Sequence, residues 1–203
     1  ENRDPRLKLS VLCPGDEYRC DGTSRYQVHW QPANWDNKTG FAAKKGANET
    51  LGNLNNDGGD KILMRYGEVL LAWAEAENEE NGPKGAYEMI DRLRRRVGMV
   101  TLTESLPNLT KETMRALIRN ERRVELAFEE HRFFDVRRWK VLDETDKCVS
   151  GMRITKKDGG YEYERIGFPR SNWRDKYYVY PLDPDEVNKM QDFTGADWQN
   201  SGW

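Results

Sequence analysis

Residues 62–76 read ILMRYGEVLLAWAEA, and this stretch decides the fold because its apolar residues recur at helical spacing. Steps of three and four residues place side chains on one face of a helix. The pattern predicts a buried face formed by Ile62, Tyr66, Val69, Leu70, Trp73 and Ala76. Asp60 is the expected N-cap. Asn81-Gly82-Pro83-Lys84-Gly85 is the expected end, because glycine suits a left-handed cap and proline cannot continue the hydrogen-bond ladder.

Two more amphipathic helices follow this one. The next helix ends near Gly98, and its apolar side carries Ala86, Tyr87, Ile90, Leu93 and Val97. Together with the preceding helix it predicts an αα-hairpin. A third helix is predicted to begin at Thr110, a good N-cap residue, and to run without a break towards Trp139. Its apolar positions include Met114, Leu117, Ile118, Val124 and Phe128.

The rest of the chain is less regular, and the whole divides into three parts. Residues 1–60 are rich in loops, with a strand-like start from Leu7 to Leu12, and residues 61–145 form the helical core. In residues 146–203 we expect a hairpin that turns at Asp158-Gly159-Gly160 and an extended segment from Tyr177 to Leu182. A short helical turn is expected at residues 184–188, and an aromatic tail at residues 198–203 is expected to pack down.

Composition limits the function classes. With 33 basic and 35 acidic residues mixed along the chain, the net charge is −2, which argues against nucleic-acid binding. No apolar stretch approaches the roughly 20 residues of a membrane-spanning helix. Seven Trp, nine Tyr and six Phe are too many for a disordered chain, so we expect one compact fold with many aromatic side chains.

Charged residues concentrate between Arg119 and Trp139. If the helix is continuous, Glu121, Glu125, Arg132 and Asp135 fall near one stripe together with Phe128. The stripe is read either as a carboxylate site for acid–base chemistry or as an ion-pair network that docks the helix. The second reading is favoured because neighbouring arginines keep carboxylates ionised and occupied. If the stripe is buried, removing Arg132 is expected to cost about 3–5 kcal/mol.

Other catalytic, metal and cofactor patterns are weak. Asp183, Asp185 and Glu186 could supply a glycosidase pair, but a proline-flanked setting fits the start of a helix better. Only His29 and His131 are available for nucleophilic or zinc chemistry, and no phosphate loop occurs. Residues 53–58 imitate a calcium loop, yet Met64 stands where the final glutamate is required. We therefore expect no catalytic residues, no metal and no cofactor. Cys13 and Cys20 could form a disulfide, leaving Cys148 unpaired.

Aromatic residues in the loops are the remaining candidates for function. Indole and phenol rings beside amide and charged side chains suit the apolar face and the hydroxyl edge of a sugar. The alternative is that the rings pin long loops onto the body of the protein. The candidate ligand-binding residues are Tyr26, Trp30, Trp35, Phe41 and Trp173.

Four segments, taken in this order and spacing, resemble the SusD/RagB family. They are Arg3-Asp4-Pro5-Arg6-Leu7, residues 62–76, the Arg119 to Trp139 helix, and Tyr180-Pro181-Leu182 with Gln199-Asn200-Ser201-Gly202-Trp203. The resemblance covers residues 1–203 and corresponds to the C-terminal portion of the family's usual length. Gly67 and Ser201 depart mildly from the family pattern, in which alanine and proline are commoner.

The resemblance implies a mainly α, SusD-like helical fold with tetratricopeptide-like helix hairpins and long irregular loops. It also implies a lipid-anchored protein on the outer surface of a Gram-negative outer membrane, with an anchor outside this fragment. The implied partner is a SusC-like TonB-dependent transporter, and the implied ligands are oligosaccharides or sometimes peptides. The leading hypothesis is non-enzymatic glycan capture. A structural module that contacts the transporter and, less favoured, a glycoside hydrolase are the alternatives.

Overall fold

The structure, a computed structural model, describes residues 3–13, 16–19, 25–27, 41–46, 62–145, 148–169 and 174–203. It divides into two compact units, Glu1–Arg132 and Phe133–Trp203. As predicted, the described residues are mainly helical. The elements that begin in the first unit are α1 (Arg6–Ser10), β1 (Val11–Leu12), β2 (Glu17–Arg19), β3 (Arg25–Gln27), β4 (Ala42–Ala43), α2 (Tyr66–Asn81), α3 (Pro83–Arg96), α4 (Leu102–Ser105), α5 (Lys111–Glu125) and α6 (His131–Arg138). The second unit continues with α7 (Leu142–Thr145), β5 (Cys148–Lys157), β6 (Gly160–Pro169), a 3-10 helix (Asp175–Tyr178) and α8 (Pro184–Thr194).

Helices α2 and α3 form the predicted hairpin, with a single residue between them. Gly82 has φ 87° and ψ −175°, a conformation open essentially to glycine, and Pro83 is the first residue of α3. Helix α3 therefore begins three residues earlier than its apolar pattern indicated. Helix α2 begins at Tyr66 instead of Ile62, and Asp60 lies outside the described residues.

The core lies between α2, α3 and α5, and α2 contributes a face that only partly matches the predicted one, in which Leu70 alone is buried as expected. Leu70, Leu71 and Ala74 are buried, whereas Tyr66 and Trp73 are exposed. The apolar residues of α2 cover more than one stripe, so periodicity alone does not select the buried one. Ala74 packs in the same cluster as Ala86 of α3, and two such small side chains let helices approach closely. The core cluster consists of Leu70, Leu71, Ala74, Ala86, Met89, Ile90, Leu93, Leu102, Met114, Ile118 and Leu126.

Helix α5 begins as predicted but ends early. The Thr110 hydroxyl accepts a hydrogen bond from the Thr113 N–H, and the Thr113 hydroxyl in turn accepts one from the Thr110 N–H. The predicted continuous helix to Trp139 is wrong, because α5 stops at Glu125 and Phe128 and Glu130 have φ values of 63° and 66°. Left-handed residues interrupt a right-handed helix, and a new helix, α6, starts at His131.

The N-terminal segment is helical where a strand-like start was predicted. The Asp4 carboxylate accepts a hydrogen bond from the Arg6 N–H at 2.9 Å, and the Asp4 carbonyl accepts one from the Leu7 N–H at 3.1 Å. These contacts begin α1, and only Val11 and Leu12 form a strand. That strand pairs antiparallel with β4, with Val11 opposite Ala43.

The second unit contains the predicted hairpin. Strands β5 and β6 pair antiparallel from Cys148 opposite Pro169 to Lys157 opposite Gly160, and Asp158 and Gly159 form the turn. Tyr177 and Tyr178 belong to the 3-10 helix, so the predicted extended segment begins only after them. Helix α8 is longer than the predicted turn and has Asp183 as its N-cap.

The aromatic tail packs onto the segment that follows the 3-10 helix, as predicted. Gln199 donates a hydrogen bond to the Leu182 carbonyl and accepts one from the Leu182 N–H, and the Asn200 amide donates to the Tyr180 carbonyl at 2.6 Å. The Trp203 indole donates to the Val179 carbonyl at 3.2 Å. The two stretches that make up the fourth segment of the family resemblance, residues 180–182 and 199–203, are thus joined by hydrogen bonds.

Candidate functional site

Three glutamates spaced four residues apart, Glu121, Glu125 and Glu129, lie at the C-terminal end of α5 and in the turn after it. Glu121 and Glu125 are only 4% and 2% exposed, and Glu129 follows in the turn. Arg6 of α1 reaches both buried acids, with Nη1 2.7 Å from Glu121 Oε1 and 3.0 Å from Glu125 Oε2. A buried carboxylate requires such partners, because an unpaired charge in a low-dielectric interior is very costly.

Arg65 and Lys45 close the end of α5. Arg65 Nη1 lies 2.7 Å from Glu125 Oε1, and its Nε lies 2.6 Å from Glu129 Oε2. Arg65 Nη2 and Lys45 Nζ each donate to the Glu125 main-chain carbonyl at 2.7 Å. Lys45 also pairs with Glu129. Cations favour the carbonyl end of a helix, so these contacts explain why α5 stops at Glu125.

Helix α3 contributes two further arginines. Arg96 Nη2 lies 2.8 Å from Glu125 Oε1, and Arg94 Nη1 lies 3.7 Å from Glu121 Oε2. At Gly67 of α2, an added Cβ would come within 3.2 Å of Glu125 Oε1. The three acids therefore tie α1, α2, α3 and the segment after β4 to α5, and Glu121, Glu125, Glu129, Arg6, Lys45, Arg65, Arg94 and Arg96 are called the acid clamp below.

The electrostatics of the acid clamp suit a structural role. Burial raises the pKa of Glu125, but hydrogen bonds from Arg65 and Arg6 outweigh it, so the pKa of the carboxyl lies below its usual value. The same holds for Glu129. Burial raises the pKa of its carboxyl, but hydrogen bonds from Arg65 and Lys45 bring that pKa below the usual value. Carboxyls held ionised in this way are poor general acids at neutral pH.

The stability of the first unit should depend on pH through these acids. Because the folded-state pKa values of Glu125 and Glu129 lie below the ordinary value of 4.5, the unfolded chain binds more protons than the folded chain as the pH falls. Their stabilisation is complete above the ordinary pKa and is lost as the pH falls below it through the folded-state values. Urea unfolding midpoints measured between pH 7 and pH 3 should fall steeply in the wild type.

A matched pair of variants isolates this effect. Glu125→Gln removes the titrating group and should give a shallower fall below pH 4.5 from a lower starting stability. Glu164→Gln removes an acid whose pair with Arg153 is largely exposed, and it should leave the fall unchanged. Equal pH profiles for Glu125→Gln and the wild type would contradict the role assigned to Glu125.

The predicted charged stripe is only partly correct. Glu121 and Glu125 belong to a buried ion-pair network, as expected, but the helix break removes the continuous stripe. Phe128 is exposed, and Asp135 pairs with Arg138 of its own helix at 2.8 Å. The partners of Glu121 and Glu125 are Arg6, Arg65, Arg94 and Arg96, which the sequence interpretation did not assign. Arg6 and Arg65 do lie in two of the stretches that carry the family resemblance.

Strands β1 and β4 bring the two ends of the segment 13–41 together, next to the acid clamp. The chain leaves β1 after Leu12 and returns through Phe41 into β4, and β1 and β4 pair with each other. The Lys44 N–H donates to the Ser10 carbonyl at 2.9 Å, and the Lys45 side chain donates to the Glu125 carbonyl at the end of α5. Residues 13–41, called the loop excursion below, therefore have both ends fixed on the clamped scaffold.

Four of the five candidate ligand residues fall within the loop excursion. Phe41 is 37% exposed and lies directly before β4. Tyr26 lies in β3, opposite Tyr18 of β2, and its side chain lies outside the description. Trp30 and Trp35 fall outside the described residues, and so does Trp173, the fifth candidate. Their contact with a ligand stays a prediction.

The remaining chemical candidates are the cysteines, the calcium-like stretch and the acids at the start of α8. Cys13 is a free, half-buried thiol, and burial raises its pKa. Cys20 and the calcium-like stretch 53–58 lie outside the described residues. Among the residues that are described, no group of three or more His, Cys, Asp or Glu side chains could hold a metal ion. No helix in the same part of the chain is both long and apolar enough to cross a membrane. Asp183 and Glu186 serve α8, as an N-cap and as a partner of Lys189.

The described residues form a helical scaffold in which the β1–β4 pair holds both ends of the segment 13–41. The model of the SusD family, SusD_RagB, matches residues 1–203. The chain therefore belongs to the SusD family, as its sequence motifs indicated.

Individual relatives are considerably longer than this chain. SusD-like protein P25 of Formosa agariphila is 30% identical over 148 residues, which are 73% of this chain and 26% of that protein. SusD-like protein P2 of the same organism is 40% identical over 88 residues, 41% of this chain and 17% of that protein. The chain thus spans about a quarter or less of the length of these curated relatives.

Solved structures show the same fold. The structure of selenomethionine BT4246 matches with a TM-score of 0.75 at 24% identity, covering 99% of this chain and 38% of that one. A SusD homolog from Bacteroides thetaiotaomicron matches with a TM-score of 0.62 at 22% identity, covering 98% of this chain and 41% of that one. Both matches cover nearly the whole of residues 1–203.

Proposed function

We propose that this chain takes part in non-enzymatic capture of oligosaccharides at the surface of the outer membrane, for delivery to a SusC-like TonB-dependent transporter. The observation that carries the proposal is that Tyr26, Trp30, Trp35 and Phe41 share one loop excursion, whose ends are fixed by the β1–β4 pair and by Lys45. Membership of the SusD family supports the same role.

The chemistry of the loop excursion favours a sugar as the ligand. Aromatic rings offer flat apolar faces to the C–H face of a pyranose, and polar side chains bind its hydroxyl edge. The residues between Trp30 and Phe41 include Gln31, Asn34, Asp36, Asn37 and Lys38. A segment fixed at both ends also loses less entropy on binding than a free one does.

The acid clamp supports a binding role over hydrolysis. A glycosidase needs one carboxyl that can be protonated near neutral pH and a second that is open to the substrate. Glu121 and Glu125 are buried, and Arg6, Arg65 and Arg96 hold Glu125 as an ion pair on several sides. Delivery to a transporter and anchoring on the outer leaflet are the parts of the proposal that rest on the family alone.

Calorimetry against starch, host and plant oligosaccharides, with peptides as a second panel, tests the proposal. The Trp30→Ala/Trp35→Ala variant is expected to weaken binding of the active oligosaccharide at least about thirtyfold, since a central tryptophan contributes roughly 2 kcal/mol or more. Trp198→Ala, which removes a half-exposed ring in the second unit, should leave the affinity unchanged.

Other outcomes point to the alternatives. Binding of peptides only, with no response to any oligosaccharide, would overturn the ligand class. If the Trp30→Ala/Trp35→Ala variant unfolds at lower temperature but keeps its affinity, the rings are packing residues and the loop excursion is a structural module. An unchanged melting temperature together with lost affinity supports capture.

A further inference from the structure

Lys45 joins the return end of the loop excursion to α5. Its Nζ donates a hydrogen bond to the Glu125 main-chain carbonyl at 2.7 Å and also pairs with the Glu129 carboxylate. The Lys45 side chain is 28% exposed, so these contacts are partly shielded from solvent. Phe41, the candidate ligand residue whose side chain the structure describes, stands four residues before Lys45.

The outgoing end of the loop excursion is held by buried residues. Arg6 of α1 is 5% exposed and lies within 3.0 Å of two buried glutamates of the acid clamp. Ser10, the last residue of α1, and Leu12 of β1 are buried as well. Because α1 and β1 are contiguous in sequence, this end cannot move without disturbing the acid clamp.

The return end is built from smaller side chains. Strand β4 consists of Ala42 and Ala43, and a ladder of two residues is marginal on its own. The N–H groups of Lys44 and Lys45 both donate to the Ser10 carbonyl, at 2.9 and 3.3 Å. To these main-chain contacts the Lys45 side chain adds a charged link to the end of α5.

Arg65 binds the same groups of α5 from a different part of the chain. Its Nη2 donates to the Glu125 carbonyl at 2.7 Å, and its Nε lies 2.6 Å from Glu129 Oε2. Arg65 is the N-cap residue of α2, and its Nη1 also lies 2.7 Å from the Glu125 carboxylate. Arg65 therefore makes more contacts with the scaffold, while Lys45 is the cation of this pair that is attached to the loop excursion.

We infer that Lys45 is a positioning residue for oligosaccharide capture, because it holds the return end of the loop excursion, and with it Phe41, against α5. This role rests on the proposed function, in which Lys45 contacts the scaffold and not the sugar. Without the Lys45 contacts, β4 and Phe41 occupy several positions, and binding must then select one of them. A site that is ordered before the sugar arrives loses less conformational entropy on binding, so the affinity depends on Lys45.

Equilibrium dialysis of three variants tests this role, with end-labelled oligosaccharides released from starch, animal mucins and plant cell walls as the probes. Lys45→Met should weaken the binding of whichever sugar the wild type retains by about fivefold, the effect of ordering one or two more side chains. Lys45→Arg keeps the charge and should restore the affinity. Arg65→Met loses the same partners on α5, so it should lower the melting temperature more than Lys45→Met does but keep the affinity within about twofold.

Hydrogen exchange measures whether the substitution acts at the return end. Peptides that cover residues 41–46 should exchange about fivefold faster, or more, in Lys45→Met than in the wild type and in Arg65→Met, because the contacts that close this end are lost. Peptides from the hairpin of β5 and β6 should exchange at the same rate in all variants.

The contrary outcomes are distinct. Equal affinity of Lys45→Met and the wild type for a retained sugar would overturn the positioning role and leave the proposed function standing. So would losses of affinity in both methionine variants that follow their melting temperatures, because Lys45 would then act through stability alone. Lower affinity with unchanged exchange of residues 41–46 would contradict the role too, since Lys45 would then act without positioning the return end. If the wild type retains none of the sugars, the proposed function fails and the positioning role fails with it.

Discussion

Replacing Arg6 with methionine is expected to destabilise the first unit by about 3–5 kcal/mol. Arg6 is 5% exposed and lies 2.7 Å from Glu121 and 3.0 Å from Glu125. Methionine keeps much of the side-chain volume but leaves the buried carboxylates with fewer cations, and it also frees Asp4, whose carboxylate accepts hydrogen bonds from Arg6. Urea unfolding should show the loss, with a melting temperature lower by roughly 6–20 °C.

Arg153→Met is the control for Arg6→Met. Arg153 pairs with Glu164 at 2.9 Å, but both side chains are largely exposed, so the pair contributes less than about 1 kcal/mol. The two variants lose the same charge and gain the same side chain. If they cost the same, the acid clamp does not hold the first unit together.

Leu71→Ala is expected to cost about 2–5 kcal/mol, because it opens a cavity in the middle of the core. Leu71 is fully buried among Leu70, Ala74 and the residues of α3 and α5. The matched comparison is Val69→Ala, two residues away in α2 and exposed, which should cost less than about 0.5 kcal/mol. Denaturant unfolding of both variants measures the difference.

These two substitutions also distinguish the two possible faces of α2. If the face inferred from periodicity were the buried one, Val69→Ala would be the more damaging change and Leu71→Ala the milder one. The structure predicts the opposite order, since Leu71 and Ala74 point into the core.

The helices of the first unit were largely predictable because their signals are local. Thr110 caps α5 through a hydrogen bond to the residue three positions ahead, and Gly82 with Pro83 ends one helix and begins the next. The family was predictable for a related reason, since its motifs lie within continuous stretches. In the second unit, the turn residues Asp158 and Gly159 are a local signal of the same kind, and they predicted the hairpin.

The end of α5 was not predictable, because its cause lies far away in the sequence. Arg65 and Lys45 bind the Glu125 carbonyl across 60 and 80 residues, and Arg6 reaches Glu125 across 119 residues. Apolar periodicity continues through Leu126 and Phe128, so the local pattern indicated a helix where tertiary contacts end it. The buried face of α2 was only partly predicted for a similar reason, since apolar residues occupy two adjacent stripes and only packing against α3 and α5 selects one.

The candidate site also combines features that local sequence predicts with features that distant contacts determine. Composition singled out the loop aromatics, and the pairing of β1 with β4 explains how four of them come to share one excursion. No local pattern indicated that Lys45, just beyond β4, would bind the end of α5. The ligand contacts of Trp30, Trp35 and Trp173 remain predictions that substitution experiments must test.

Equilibrium dialysis with an end-labelled oligosaccharide, followed by determination of the length of the recovered sugar, tests the central claim most directly. The account predicts that the wild type retains the sugar at its original length, and that the Trp30→Ala/Trp35→Ala variant retains at least about thirtyfold less at low ligand concentration. Recovery of shortened products, or equal retention by the wild type and this variant, would contradict it.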